Sequence, residues 1–93
     1  MNIFNSLKTY AGKWSVVSSR SFSNDEISAV KEAYVVDSQY GNSVCFVMVS
    51  GGQTYIPLSN NSNLGLGDSV DLSKAKLLEL ARPGEANITR VEV

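Results

Sequence analysis

The chain has 93 residues, of which 43% are hydrophobic and 18% charged, a size and composition that fit one small folded domain and exclude two. It has no histidine and a single cysteine, which excludes Ser-His and Cys-His nucleophile pairs, imidazole metal sites, CxxC redox motifs and an internal disulfide. We therefore expect a non-catalytic domain without a cofactor or a bound metal.

Charge is distributed unevenly along the chain. Residues 1–20 carry Lys8, Lys13 and Arg20 and no acidic residue, a local charge of +3. Residues 21–93 carry five basic and nine acidic side chains, a local charge of −4, so the formal charge of the chain is −1. A basic segment of this kind is typical of an arm that meets a polyanion, although an ordinary solvated edge has the same composition.

The hydrophobic runs are too short to cross a membrane. The longest one, residues 44–49, is far below the roughly 20 residues of a membrane-spanning helix. The N-terminal residues lack the apolar core, about 7–15 residues long, of a secretory signal. We therefore expect a cytoplasmic protein with no membrane partner, and a lone Cys45 agrees with a reducing compartment.

The first 21 residues are predicted to form a basic and apolar arm or helix, ahead of a single β-rich domain over residues 22–93. Gly12 weakens a helix, so an extended arm that leads into a first strand is the alternative. The apolar side chains of this segment recur at three- and four-residue steps, which is typical of one stripe of a helix: Ile3, Leu7, Tyr10 and Trp14.

A short helix is predicted after the arm. Ser23 and Glu26 have the Ser-x-x-Glu spacing of a capping box, in which each side chain bonds the other residue's backbone amide. Ile27 and Val30 continue the pattern at three-residue spacing. We therefore expect one to three helical turns over residues 24–32.

Strands and tight turns are predicted next. Residues 33–36 have strand composition, and residues 44–49 are apolar on both faces, as a central strand requires. Residues 39–42 between them have the composition of a turn with one left-handed position. Gly51-Gly52 predicts a tight hairpin into a strand over residues 54–58, whose proline indicates an edge or an end.

The following segment is harder to interpret. Residues 59–67 are polar and rich in turn formers, which predicts a surface loop. Over residues 73–80, a strand and a helix capped by Ser73 are both compatible with the sequence. In the strand interpretation, the Leu77-Leu78 pair breaks the alternation as a bulge would.

The C-terminal residues predict a turn and a last strand. Pro83 and Gly84 occupy the central positions of a type II turn, and residues 88–93 follow with strand composition. Five or six short strands in a chain of this length predict an all-β or β-rich α+β fold. We expect a small OB-like or SH3-like barrel with a short helix, because closure removes exposed strand edges.

Four stretches of the sequence from Phe22 onward carry a resemblance to known proteins: VVDSQYGNSVCF (residues 35–46), GGQTYIPLS (51–59), GDSVDLSKAKLLEL (67–80) and GEANITRVEV (84–93). In these stretches the sequence resembles small uncharacterised proteins of Bacteroides-type gut bacteria and their phages or mobile elements. The resemblance implies a bacterial or phage setting, and it carries over no activity and no functional residue.

Aromatic and basic side chains carry the functional hypothesis. Rings on the outside of a small barrel can stack on nucleobases, and cations beside them can meet phosphates. The alternative is that most of these rings fill the core. The residues predicted to bind a single-stranded nucleic acid are Lys8, Lys13, Trp14, Arg20, Tyr40 and Tyr55, with Lys74, Lys76 and Arg90 as further cations.

The second hypothesis is a protein-interaction or oligomerisation module. A domain this small can bury an apolar stripe against a partner or a second copy of itself. The stripe formed by Ile3, Leu7, Tyr10 and Trp14 would be the docking surface. An enzyme is the third class, and we do not expect one because the sequence contains no nucleophile–base pair.

Overall fold

The computed structural model describes residues 13–93. Their elements are β1 (Ser15–Ser21), α1 (Asn24–Ala29), β2 (Val30–Ser38), β3 (Gly41–Met48), β4 (Gln53–Pro57), β5 (Lys76–Ala81) and β6 (Ile88–Glu92). This confirms a β-rich fold with a short helix. The predicted arm is described only from residue 13, and that part includes β1. Ile3, Leu7, Lys8 and Tyr10 lie outside the described residues.

The six strands form two antiparallel sheets of three strands each. Sheet I has the order β1-β5-β6 and sheet II the order β2-β3-β4. The central place of β3 confirms the prediction from its apolar run. A parallel bridge between Leu58 and Val91 connects the sheets, and the Ser59 amide donates to the Val91 carbonyl at 2.8 Å.

Within residues 13–93 the strands do not close into a barrel. Closure would require β1 and β2 to meet, but α1 separates them in the chain and each has a different partner strand. The outer edge of β2 is taken by the backbone of residues 67–70. There the Val35 amide donates to the Asp68 carbonyl at 2.9 Å, and the Val70 amide donates to the Ala33 carbonyl at 2.9 Å.

Helix α1 begins with the predicted capping box. The Glu26 amide donates to Ser23 Oγ at 3.1 Å, and the Ser23 amide donates to Glu26 Oε1 at 2.8 Å. The helix is shorter than predicted because Val30 has extended backbone and pairs with Met48 at the start of β2. Sheet pairing therefore ends the helical pattern.

No helix in residues 13–93 is long and apolar enough to cross a bilayer.

The ambiguous segment over residues 73–80 is a strand preceded by a turn, so its helical interpretation is wrong. Asp71, and not Ser73, provides the cap: its Oδ1 accepts from the Ser73 amide at 3.0 Å and from Ser73 Oγ at 2.6 Å. The Asp71 carbonyl accepts from the Ala75 amide at 3.1 Å, which closes the turn. β5 follows directly at Lys76.

The bulge predicted at Leu77-Leu78 is absent, and the irregularity lies on the neighbouring strand instead. The register of β1 against β5 shifts between Val16 and Ser18, whereas Leu77 and Leu78 pair with successive residues of β1. Leu77 packs against the main core and Leu78 is buried on the other face of sheet I. Because both faces of β5 are covered, two adjacent leucines need no break in alternation.

The core lies between the two sheets. Its central side chains are Val35 and Val44 from sheet II and Val91 from sheet I, all almost completely buried. Phe46 is 4% exposed, and its ring centroid lies 5.9 Å from that of Phe22. Phe46 is therefore a core residue.

Candidate functional site

Two adjoining grooves lie beside the loop that follows β4. The larger, about 480 Å³, runs along sheet I and is called the strand groove. The smaller, about 180 Å³, lies beside the β2–β3 turn and is called the turn groove. Ser59, Asn60 and Arg90 line both grooves, which makes them neighbouring parts of one surface.

Sheet I forms the floor of the strand groove. Its register places Leu78 opposite Arg90 and Val16 opposite Leu80. These four side chains share one face because Cβ directions alternate along a strand. Val91, the neighbour of Arg90 in sequence, points to the other face and is part of the core. The groove is therefore on the side of sheet I that faces away from the core.

Arg90 is the cation at the junction of the two grooves. Its Nη1 donates to the Leu58 carbonyl at 2.9 Å, which holds the guanidinium beside the start of the loop. Lys13 and Glu92 are the other charged residues that line the strand groove. Their sum with Arg90 is +1, so the groove is weakly basic on a chain whose formal charge is −1.

Trp14 lines the strand groove with one ring face already in contact. The guanidinium carbon of Arg82 lies 4.6 Å from the centroid of the Trp14 ring, a cation–π distance. The contact follows from the pairing of Ser15 with Ala81, which places the preceding Trp14 next to the following Arg82. A base that stacks on Trp14 must use the free face or displace Arg82.

Tyr40 is the exposed ring of the turn groove. It lies in the two-residue connection between Ser38 and Gly41 and is 70% exposed. The Tyr40 amide donates to Ser38 Oγ at 3.2 Å, and Gly41 has a φ of +89°, which favours glycine. The turn therefore presents the ring to solvent, as its sequence predicts.

Arg20, a predicted phosphate contact, is held elsewhere. Its two Nη atoms lie 2.7 and 3.0 Å from the carboxylate oxygens of Glu26. This pairing, together with the Ser23 amide, lowers the pKa of Glu26 from 4.5 to about 2. Arg20 is paired with Leu77 in the register and so points to the opposite face of sheet I from Arg90. The structure does not bring Arg20 to the grooves.

Tyr55 is also separate from the grooves. The registers place Tyr34, Cys45 and Tyr55 side by side across sheet II, on the face opposite Val44 and the core. The Tyr55 hydroxyl donates to the side-chain oxygen of Gln53 at 2.8 Å. The two exposed tyrosines of the predicted site therefore belong to different surfaces.

The candidate site also contains residues that were not in the predicted set, among them Asn60, Asn61 and Arg82. The asparagines are in the polar loop, whose composition does not indicate which surface it covers. The sequence did contain a local signal for Arg82. It is the first residue of the predicted type II turn, and the first and last residues of such a turn lie close together. Its contact with Trp14 depends on the pairing of β1 with β5, which no local pattern indicates.

Residues 13–93 contain no cluster of three or more Cys, Asp or Glu side chains that could hold a metal ion.

No family model matches the chain, and comparison with curated proteins and with solved structures yields no match. The predicted bacterial or phage setting stays a prediction.

Proposed function

We propose that this chain is a non-catalytic binding domain for single-stranded nucleic acid, which follows the strand groove and the turn groove. The observation that carries the proposal is that Lys13, Trp14, Tyr40 and Arg90 line these two joined grooves. Aromatic rings that stack on bases, beside cations that meet phosphates, are the combination that single-strand binding uses.

The magnitudes indicate weak, salt-dependent binding. Each base stacked on a ring contributes roughly 1–3 kcal/mol without strong sequence preference. Lys13 and Arg90 provide two phosphate contacts, and each neutralised phosphate of a single strand contributes about −0.7 to the log–log salt slope. Two contacts give a slope of about −1.4. The nine acidic side chains of the chain oppose binding at long range.

The fold class proposed with this function is a partly open barrel of the OB-like or SH3-like kind. Its support is the Leu58–Val91 bridge, which continues β4 towards β6 and joins the two sheets along one side. Barrels of this kind bind oligonucleotides with strand faces and the loops beside them. The grooves lie at such a junction of strands and loop.

Fluorescence anisotropy with a labelled oligonucleotide tests the proposal. We expect binding at about 50 mM salt and a salt slope of about −1.4 or steeper. Arg90→Gln should weaken binding, whereas Lys31→Gln, which removes the same charge from an exposed position of β2, should not. Absence of binding at this salt concentration with tens of micromolar protein would show the proposal to be wrong.

A second candidate function is self-association through β1. All seven residues of this strand are exposed, Val16 and Val17 included, and within residues 13–93 its partner strand is β5 on one side. The ion pair with Glu26 neutralises Arg20, the one charge of the strand, so an antiparallel second copy would meet no repulsion there. Edge strands of this kind pair readily with another chain.

Light scattering distinguishes the two candidates. Self-association predicts a dimer whose mass falls to that of a monomer in Val17→Lys, because a charged side chain on an edge strand opposes pairing. A monomer for the unchanged chain at the concentrations used for nucleic-acid binding would rule out the second candidate. The groove proposal would be unaffected by this result.

A further inference from the structure

The Arg82-Pro83-Gly84-Glu85 turn places an acid and a base side by side next to Trp14, which lines the strand groove. Gly84 has a φ of +82°, and the Glu85 amide donates to the Arg82 carbonyl at 3.3 Å, which confirms the type II turn expected from Pro83 and Gly84. The turn brings the Glu85 carboxylate to Nη2 of Arg82, and the two form an ion pair.

The Arg82 guanidinium is oriented by its surroundings. One face lies on the Trp14 ring at 4.6 Å. Its Nε is buried and has no hydrogen-bond partner among residues 13–93, while the side chain as a whole is 26% exposed. Glu85 binds at the other edge of the guanidinium, which the Nη atoms form. That edge has the fork geometry with which arginine holds a phosphate.

We infer that Arg82 is a third phosphate-binding cation of the strand groove. Glu85 occupies the Nη edge of Arg82 until a single-stranded nucleic acid binds. This inference rests on the proposed function, since it names how one phosphate of the bound nucleic acid is held. On binding, a phosphate oxygen replaces the Glu85 carboxylate at Nη2, and the carboxylate passes into solvent. One oxyanion is exchanged for another and no covalent bond changes.

The exchange is feasible because neither partner is deeply buried. The Glu85 side chain is about half exposed and is joined to a turn, so its carboxylate can return to water at little cost. Arg82 is retained by the Trp14 ring after Glu85 leaves, so its charge stays at the groove. An ion pair whose only role is to stabilise the turn would not respond to nucleic acid.

The test uses the full chain, a labelled oligonucleotide and the intrinsic fluorescence of Trp14, the single tryptophan. Glu85→Gln removes the competing carboxylate and should tighten binding about two- to fivefold, the range of an exposed ion pair. Glu32→Gln is the matched control, because it removes the same charge from an exposed site on sheet II and should change affinity less.

Arg82→Gln should weaken binding and make the salt slope shallower by about 0.7, the contribution of one phosphate on a single strand. Arg82→Lys should keep most of the slope, because the charge is retained, and should alter the Trp14 emission, because the planar contact is lost. The unfolding midpoint of each variant shows whether it is folded. If Arg82→Gln does not fold, the Lys variant and Glu85→Gln still decide the question.

The outcomes separate the inference from the proposed function. If the chain binds, Arg90→Gln weakens binding, and Glu85→Gln tightens it no more than Glu32→Gln does, the exchange is wrong and the groove proposal stands. An unchanged salt slope in Arg82→Gln contradicts the inference in the same way. If no binding is seen with the unchanged chain, both are wrong.

Discussion

Tyr40 and Tyr55 are both more than half exposed, at 70% and 53%, yet their surroundings differ. Tyr40 lies at the turn groove, which Arg90 also lines. Tyr55 lies on the outer face of sheet II beside Tyr34, Cys45 and Gln53, none of which is a cation. Exposure by itself therefore does not indicate a nucleobase platform, and a neighbouring cation is the property that distinguishes the two rings.

The arginines of the chain also differ in the groups that bind them. Arg20 is bound by both oxygens of Glu26, and Arg90 is bound by a neutral backbone carbonyl. A guanidinium bound to a carbonyl keeps its full charge available to a phosphate, whereas one bound to a carboxylate does not. Arg82 is intermediate, because its carboxylate partner is in a solvated turn and contacts one nitrogen.

The largest change we expect is in folding stability, and it distinguishes a core ring from a ring at the grooves. Phe46→Ala should lower the free energy of unfolding by about 3–5 kcal/mol, because the lost ring leaves a cavity between the sheets. Tyr40→Ala should lower it by about 0.5 kcal/mol or less, because the ring is in solvent. Denaturant unfolding measures both, and equal losses would show that Tyr40 is a core residue and not a binding ring.

The second effect is on affinity and separates the two tyrosines. Tyr40→Ala should weaken binding to a single-stranded oligonucleotide by roughly 1–3 kcal/mol, the value of one stacked base. Tyr55→Ala is the matched control and should leave the dissociation constant unchanged. If Tyr55→Ala weakened binding and Tyr40→Ala did not, the interface would be the outer face of sheet II.

The smallest effect concerns Glu26, the partner of Arg20. Its pKa is lowered from 4.5 to about 2, so the folded state binds this proton more weakly than the unfolded state does. The stabilisation is present above about pH 4.5 and is lost as the pH falls towards 2. Glu26→Gln should therefore lower the melting temperature slightly at neutral pH and make it less dependent on pH in this acid range.

Gln can keep the capping box with Ser23, so Glu26→Gln removes the charge pair and leaves the helix cap. Nucleic-acid affinity should rise little in this variant, because Arg20 lies on the other face of sheet I from Arg90. A large gain in affinity would mean that Arg20 is part of the binding surface and that this surface is not confined to the two grooves.

The features that depend on neighbouring residues can be predicted from the amino-acid sequence alone. The Ser23–Glu26 cap, the turn at Tyr40 and Gly41, and the Pro83-Gly84 turn follow from chemistry within four residues. The central position of β3 follows from its uninterrupted apolar run, which only a strand covered on both faces can bury. These elements are local, so their signals are complete in the sequence.

Which side chains meet across the fold depends on long-range strand pairing. Trp14 reaches Arg82 because β1 pairs with β5, and Arg90 reaches the Leu58 carbonyl from a strand 32 residues away. Residue type alone does not distinguish Arg20 from Arg90 or Tyr55 from Tyr40 as a candidate binding residue. The strand register places Arg20 and Tyr55 on other faces. A one-residue change of register reverses the face of every side chain in a strand, and register is set by long-range pairing.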